Sequence, residues 1–232
     1  MSRLTLKGDP PIDVQIKRAP QARRMSLRVS QVDRGVRLTL PVHVPDREAW
    51  AFLSEKEAWL RKALGTVPEG IAVKWDGSVC YLGEQMSVVE GTKRGVHLQG
   101  ETLRVYGPAD QVGARVKGWM KAQARLVLSQ SVARYADRLG KQPNRIVLKD
   151  TRSRWGSCSS AGNLNFSWRL VMAPISVLDY VAAHEVAHLA EMNHSSAFWD
   201  TVTAIHGPYA QERKWLRVHG SALQRYRFEP CS

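Results

Sequence analysis

The chain has 232 residues, with 34 Lys and Arg against 21 Asp and Glu and a net charge of +13. That length accommodates one large domain or two small ones, and the charge favours anionic partners such as nucleic acid or acidic substrates without naming one. Three widely spaced cysteines, Cys80, Cys158 and Cys231, exclude a disulfide framework and a paired-cysteine metal site; no apolar run nears the ~20 residues of a membrane span, so a cytoplasmic protein without membrane association is expected.

From Ile12 to Leu40 the chain alternates apolar and polar residues, as in SLRVS and GVRLTLP, with a turn-like QVDRG between the runs; this predicts antiparallel strands. Pro45 and Asp46 then open a helix on which Trp50, Leu53, Leu60 and Leu64 recur at spacings of three and four, ending at Gly65. Between Ile71 and Tyr106, glycines at 77, 83, 91, 95 and 100 punctuate a second strand-rich stretch. The texture changes near residue 108, where a domain boundary is expected: residues 1–108 form a strand-rich module with one helix, and residues 109–232 form a second domain. Met120, Ala124, Leu128, Val132, Tyr135 and Leu139 share one helical face, with Gly140 as the C-terminal cap. Strands are expected at Asn144 to Lys149 and Asn163 to Leu170, joined by the loop TRSRWGSCSSAG, and helices at about 176–192, 196–205 and 209–219. The fold class is α+β.

The stretch AAHEVAHLAEMNHSSAFWD, from Ala182 to Asp200, holds three of the seven histidines. His184 and His188 are four apart, so on a helix their rings leave one face a turn from each other and can share an ion. Glu185 fits the general base of H-E-x-x-H hydrolases. The helix is apolar nearly all round and should be buried, where two histidines and a glutamate would cost several kcal/mol without partners. A metal ion satisfies them directly. For the third ligand His194 is favoured, which requires the chain to turn near Met192 and Asn193, with Asn193 in the left-handed conformation and Ser195 or Ser196 capping the next helix. A carboxylate, Glu191 or Glu212, is the alternative.

RSRWGSCSSAGNLNFSWRLVMAP followed by HEVAHLAEMNHSSAFW resembles the YgjP-like zinc metallopeptidases, which are related to the SprT-type and WLM-type peptidases. The similarity is densest from Arg152 to Trp199. The resemblance implies a zincin-like catalytic domain in which His184, His188 and His194 bind one Zn²⁺, Glu185 is the base and a protein or peptide is the substrate. It also places Arg154, Trp155, Ser157 and Cys158 beside the catalytic helix. There Arg154 either binds a substrate carbonyl or carboxylate, or ties loop to helix by a salt bridge. Trp155, Phe198 and Trp199 read as core, Cys158 as a small buried hydrophobe, and His206 and Tyr209 as optional oxyanion stabilisers.

Val171 to Glu212 carries five acids and no Lys or Arg, which leaves +18 on the rest of the chain. That excess is spread over the N-terminal strands and the 111–139 helix, where Arg115, Lys117, Lys121, Arg125, Arg134 and Arg138 dominate. It reads either as a solvated surface or as a nucleic-acid footprint. Two other functions fit the same residues. One is a metal-dependent hydrolase of nucleotide phosphoanhydrides, although phosphate chemistry usually favours carboxylate-rich Mg²⁺ sites. The other is a zinc-stabilised nucleic-acid-binding module, in which Glu185 would lack a purpose.

Overall fold

The computed structural model describes residues 2–30 and 34–229, and it is α+β. The chain falls into two compact units, Met1–Gly70 and Ile71–Ser232, each with its own hydrophobic core. No helix is long and apolar enough to cross a membrane among the described residues. Cys231 and most of the QVDRG turn lie outside the described residues.

In the first unit, β1 (Ser2–Leu6), β2 (Ile12–Arg18), β3 (Ser26–Val29) and β4 (Val36–Leu40) form one sheet in the order β1-β2-β4-β3. The expected alternation is present: Ile12, Val14 and Ile16 of β2 and Val36, Leu38 and Leu40 of β4 are buried, and the intervening residues face out. The expected all-antiparallel pairing is corrected in one place. β2 and β4 run parallel, Val14 opposite Val36, because β3 takes the outer edge and pairs with β4 alone. The helix expected from Pro45 to Gly65 is interrupted at Lys56 (φ −92°, ψ 3°), giving α1 (Asp46–Glu55) and α2 (Glu57–Thr66). Ala49, Leu53 and Leu60 close the core over the sheet's inner face.

The second unit begins with β5 (Ile71–Ala72), then β6 (Gly77–Tyr81), β7 (Glu84–Glu90), β8 (Val96–Gln99) and β9 (Thr102–Val105), the last four forming a sheet ordered β6-β7-β9-β8. Val79, Met86, Val88, Leu103 and Val105 pack in one cluster with α3 (Val112–Leu139). The boundary expected near residue 108 therefore falls inside a continuous core, and the division lies at 70/71. Along α3 the face Met120, Ala124, Leu128, Val132 and Tyr135 is buried as expected, and Gly140 ends the helix at φ 70°, a left-handed cap open to glycine at little cost.

Next come β10 (Arg145–Lys149), β11 (Gly156–Cys158) and β12 (Asn163–Ser167), in a sheet ordered β10-β12-β11. The segment 151–162, expected as a loop, thus contains an edge strand antiparallel to β12. A 3-10 turn replaces the expected end of the second strand at Trp168–Met172. Its Arg169 is buried, bonded to Asp150 at 2.9 Å and to the carbonyls of Leu223 and Tyr226. Three helices follow, α4 (Ile175–Ala187), α5 (Ser196–His206) and α6 (Ala210–Leu223), and β13 (Tyr226–Arg227) pairs back onto β5.

Candidate metal centre

Pro174 opens α4, and Val177, Leu178, Val181, Ala182, Ala183, Val186 and Ala187 bury it against α3, α5 and α6. The helix stops one turn earlier than expected, at Ala187, with His188 as its cap (φ −63°, ψ −15°) and the amides of Leu189, Ala190 and Glu191 bonding back to Val186 and Ala187. The left-handed Asn193 is not observed; the non-glycine residues with positive φ among those described are Arg34, Asp76 and Leu82. The reversal uses the Asn193 side chain instead, whose Oδ1 accepts a 3.3 Å bond from the Ser195 amide. Ser195 occupies the N-cap of α5 but makes no side-chain capping bond.

This path carries His194 back to the first two histidines. Ligating atoms of His184, His188 and His194 lie within 4.8 Å of one another, and the Nε2 atoms of His184 and His194 are 3.2 Å apart. Neither alternative carboxylate, Glu191 or Glu212, belongs to this group. The Glu191 main chain has a different part: its carbonyl accepts a 2.9 Å bond from His188 Nδ1, which fixes the tautomer and turns a lone pair on Nε2 outward. Burial pushes His184 down to about 3, helped by the facing His188, His194 and Arg213, and burial also lowers His188. Both rings are thus neutral at physiological pH, as ligation requires. Three converging imidazoles, with His184 and His188 held neutral and His188 already oriented by a backbone carbonyl, could hold a metal ion.

Glu185 is buried beside the trio on the same helix, with Oε2 unpartnered among the described residues. Burial raises it to about 8, opposed by the charge of Arg154. Its neighbour across the site is Gly156 of β11, so close that a Cβ there would overlap the carboxyl group. Cys158, on the same strand, is half-buried and sits apart from the histidine group; burial and then Glu185 raise its thiol. Arg154 is exposed and no salt bridge ties it to α4 among the described residues, so the structural alternative offered for it is not seen.

The family model of the YgjP-like metallopeptidase domain matches residues 23–219, which covers both the RWGSC strand and the histidine helix. The chain belongs to the YgjP-like metallopeptidase family. No curated protein matches it. Among solved structures it is similar to the metallopeptidase zymogen of Pyrococcus abyssi abylysin, at 20% identity over 40% of this chain and 92% of that one, with a TM-score of 0.36.

Around the histidines, this YgjP-like domain builds an aromatic wall. Phe198 is fully buried with its ring centroid 4.4 Å from that of His188, and Trp199 stands 5.6 Å from His194, so both are packing residues as expected. Tyr180 lies one helical turn before His184, 5.9 Å from it, and stacks on Tyr209 at 5.6 Å. Burial raises the Tyr180 hydroxyl to about 12. His206 contacts Tyr135 and Tyr180 and is outside the trio. Three residues at this site escaped the sequence reading. Tyr180 could have been found, being four before His184. Gly156 reads in sequence as a turn glycine, and Arg213, whose guanidinium lies over Trp199 at 4.9 Å, has no local signal at all.

Proposed function

We propose that the chain is a zinc-dependent peptidase in which His184, His188 and His194 hold one ion and Glu185 is the general base. Membership of a metallopeptidase family supports peptide-bond hydrolysis. The observation that carries the finer reading is the convergence of three imidazoles beside a buried carboxyl group. A three-imidazole set favours zinc over Mg²⁺ or Ca²⁺, and zinc bound there supplies Lewis-acid activation of water and of the scissile carbonyl.

The chain's own groups do the rest. Burial leaves Glu185 able to gain and lose a proton near neutral pH, so it takes a proton from the attacking water and passes it to the leaving amine. Gly156 gives its carboxyl group room to stand against β11. β11 is an edge strand, so the outer backbone groups of Gly156–Cys158 have no strand partner among the described residues, and an extended peptide can pair along them beside the base. Arg154, exposed and acting on Glu185 through its charge, is the proposed group that binds a substrate carbonyl or carboxylate.

The test is metal content together with turnover of an unfolded-protein panel and a nucleotide panel by wild type and Glu185→Gln. The variant should keep one zinc and lose proteolysis by at least ~10²-fold, since proton transfer goes and no ligand does. Equal turnover by both proteins removes Glu185 as the base. Turnover of nucleotides alone moves the site to phosphoanhydride hydrolysis.

A further inference from the structure

The sequence spreads the basic excess over the N-terminal strands and the 111–139 helix, and the structure treats the two groups of cations differently. Of the six cations on α3, Lys117 is 2.7 Å from Glu229 and Arg134 is 2.6 Å from Asp179. Arg115 donates to Gln111, Arg125 to the Ile146 carbonyl and Arg138 to the Ile205 carbonyl. Lys121 alone of the six has no partner among the described residues. Most of the helix's cations are thus held within the fold.

The outer face of the β1-β2-β4-β3 sheet has the opposite character. One row of directly opposed residues crosses all four strands: Arg3 faces Gln15, Gln15 faces Arg37, and Arg37 faces Arg28. Lys17 faces Thr39 in the next row. Lys17, Arg28 and Arg37 are exposed, and none has an ion pair or hydrogen-bond partner among the described residues. The face carries one acid, Asp13, which accepts from Thr5 and lies 3.7 Å from Arg3. Like charges directly opposite on neighbouring strands, about 5 Å apart, destabilise a sheet. Exchanging either Arg28 or Arg37 for a polar residue would remove that repulsion at no packing cost.

We propose that this sheet face is a nucleic-acid-binding surface that takes the phosphodiester backbone on Lys17, Arg28 and Arg37. The other residues on the face, including Gln15, Thr39 and Ser26, are short polar hydrogen-bonding groups, which suit phosphate and sugar contacts without base readout. The face has no large apolar side chain to enter a bilayer and no aromatic anchor to fill a pocket on a protein partner, so a repeating anion is the fitting occupant. The surface belongs wholly to the first unit and needs neither the histidines nor Glu185, so it stands or falls apart from the peptidase reading.

The experiment is fluorescence anisotropy of a labelled 20-base-pair DNA duplex of mixed sequence with the full-length protein between ~50 and ~200 mM salt. Three neutralised phosphates give a slope of about −2.7 in log affinity against log salt, a loss of about 40-fold over that range. Arg28→Glu/Arg37→Glu should flatten the slope to about −0.9, a loss of about 3.5-fold. Arg47→Glu/Lys62→Glu makes the same change in net charge at exposed positions on α1 and α2 and should leave the steep slope in place. Arg28→Glu alone converts a like-charge pair into an opposite one, so its thermal midpoint should hold or rise while binding weakens, which separates lost contact from lost fold. Absence of binding at ~50 mM salt, an equal effect of the two double variants, or tighter binding to vesicles containing anionic lipid than to the duplex overturns the proposal.

Discussion

Gly156→Ala tests how Glu185, the proposed base, is held. Gly156 has no positive φ, so the glycine is there for space rather than backbone freedom. A Cβ at 156 would overlap Oε1, Cγ and Cδ of Glu185. These atoms end a flexible side chain, so Glu185 yields and the strand does not. Moving the carboxylate off its rotamer costs ~0.5–1.5 kcal/mol, small beside the ~5–15 kcal/mol stability of a domain. Function is far more sensitive, because a displacement of ~1 Å in a catalytic group can cost ~10²-fold in rate. The variant should therefore melt within a few degrees of wild type and bind one zinc. Its kcat/KM on a labelled unfolded protein should fall by ~10²-fold. In a Glu185→Gln background the same substitution should add almost nothing, since two changes that act through one group are not additive. Wild-type activity in Gly156→Ala, or an additive loss in the double variant, refutes the reasoning.

His194→Ala should weaken zinc binding by more than the ~10–100-fold typical of an outer-shell partner, whereas Glu191→Gln and Glu212→Gln should leave it unchanged; competition with a chelator measures all three, and the reverse pattern would make a carboxylate the third ligand. In the metal-free protein the buried site ties stability to pH in two directions. Burial takes His184 from its ordinary 6.5 to about 3, so its contribution is complete above 6.5 and is lost as pH falls toward 3. Burial takes Glu185 from 4.5 to about 8, so its contribution is complete below 4.5 and is lost as pH rises through 8. The urea midpoint of wild type relative to Glu185→Gln should accordingly decline between about pH 5 and pH 8.5, and a rise over that interval would contradict a buried, unpaired carboxyl group.

What was legible in the sequence follows the range of the interactions that decide each element. The α3 face from Met120 to Tyr135, its Gly140 cap and the one-turn spacing of His184 and His188 depend on neighbours within a few residues, and each appears as read. The parallel pairing of β2 with β4 does not, because a strand's own alternation says which face is buried and nothing of which strand lies beside it. The 70/71 division was missed for the same reason: β6 to β9 look in sequence like a continuation of the N-terminal strands, and only their packing against α3 assigns them to the second unit. β11 is three residues long, too short to show a period of two.

The misread loop and the histidine helix meet where Gly156 of β11 stands against Glu185 of α4. The H-E-x-x-H spacing gives two histidines and a glutamate on one helix, but it does not say what presses on the other side of the glutamate. That is the backbone of Gly156, from a strand that reads as a loop. Burying Glu185 against a glycine holds its proton affinity near neutral, and only a residue without a side chain can do so at that distance. The glycine of RWGSC and the glutamate of HEVAH thus constrain each other across the sheet edge. A change at either one alone should damage the proposed base while sparing the three imidazoles, because no histidine is among the atoms that Gly156 meets.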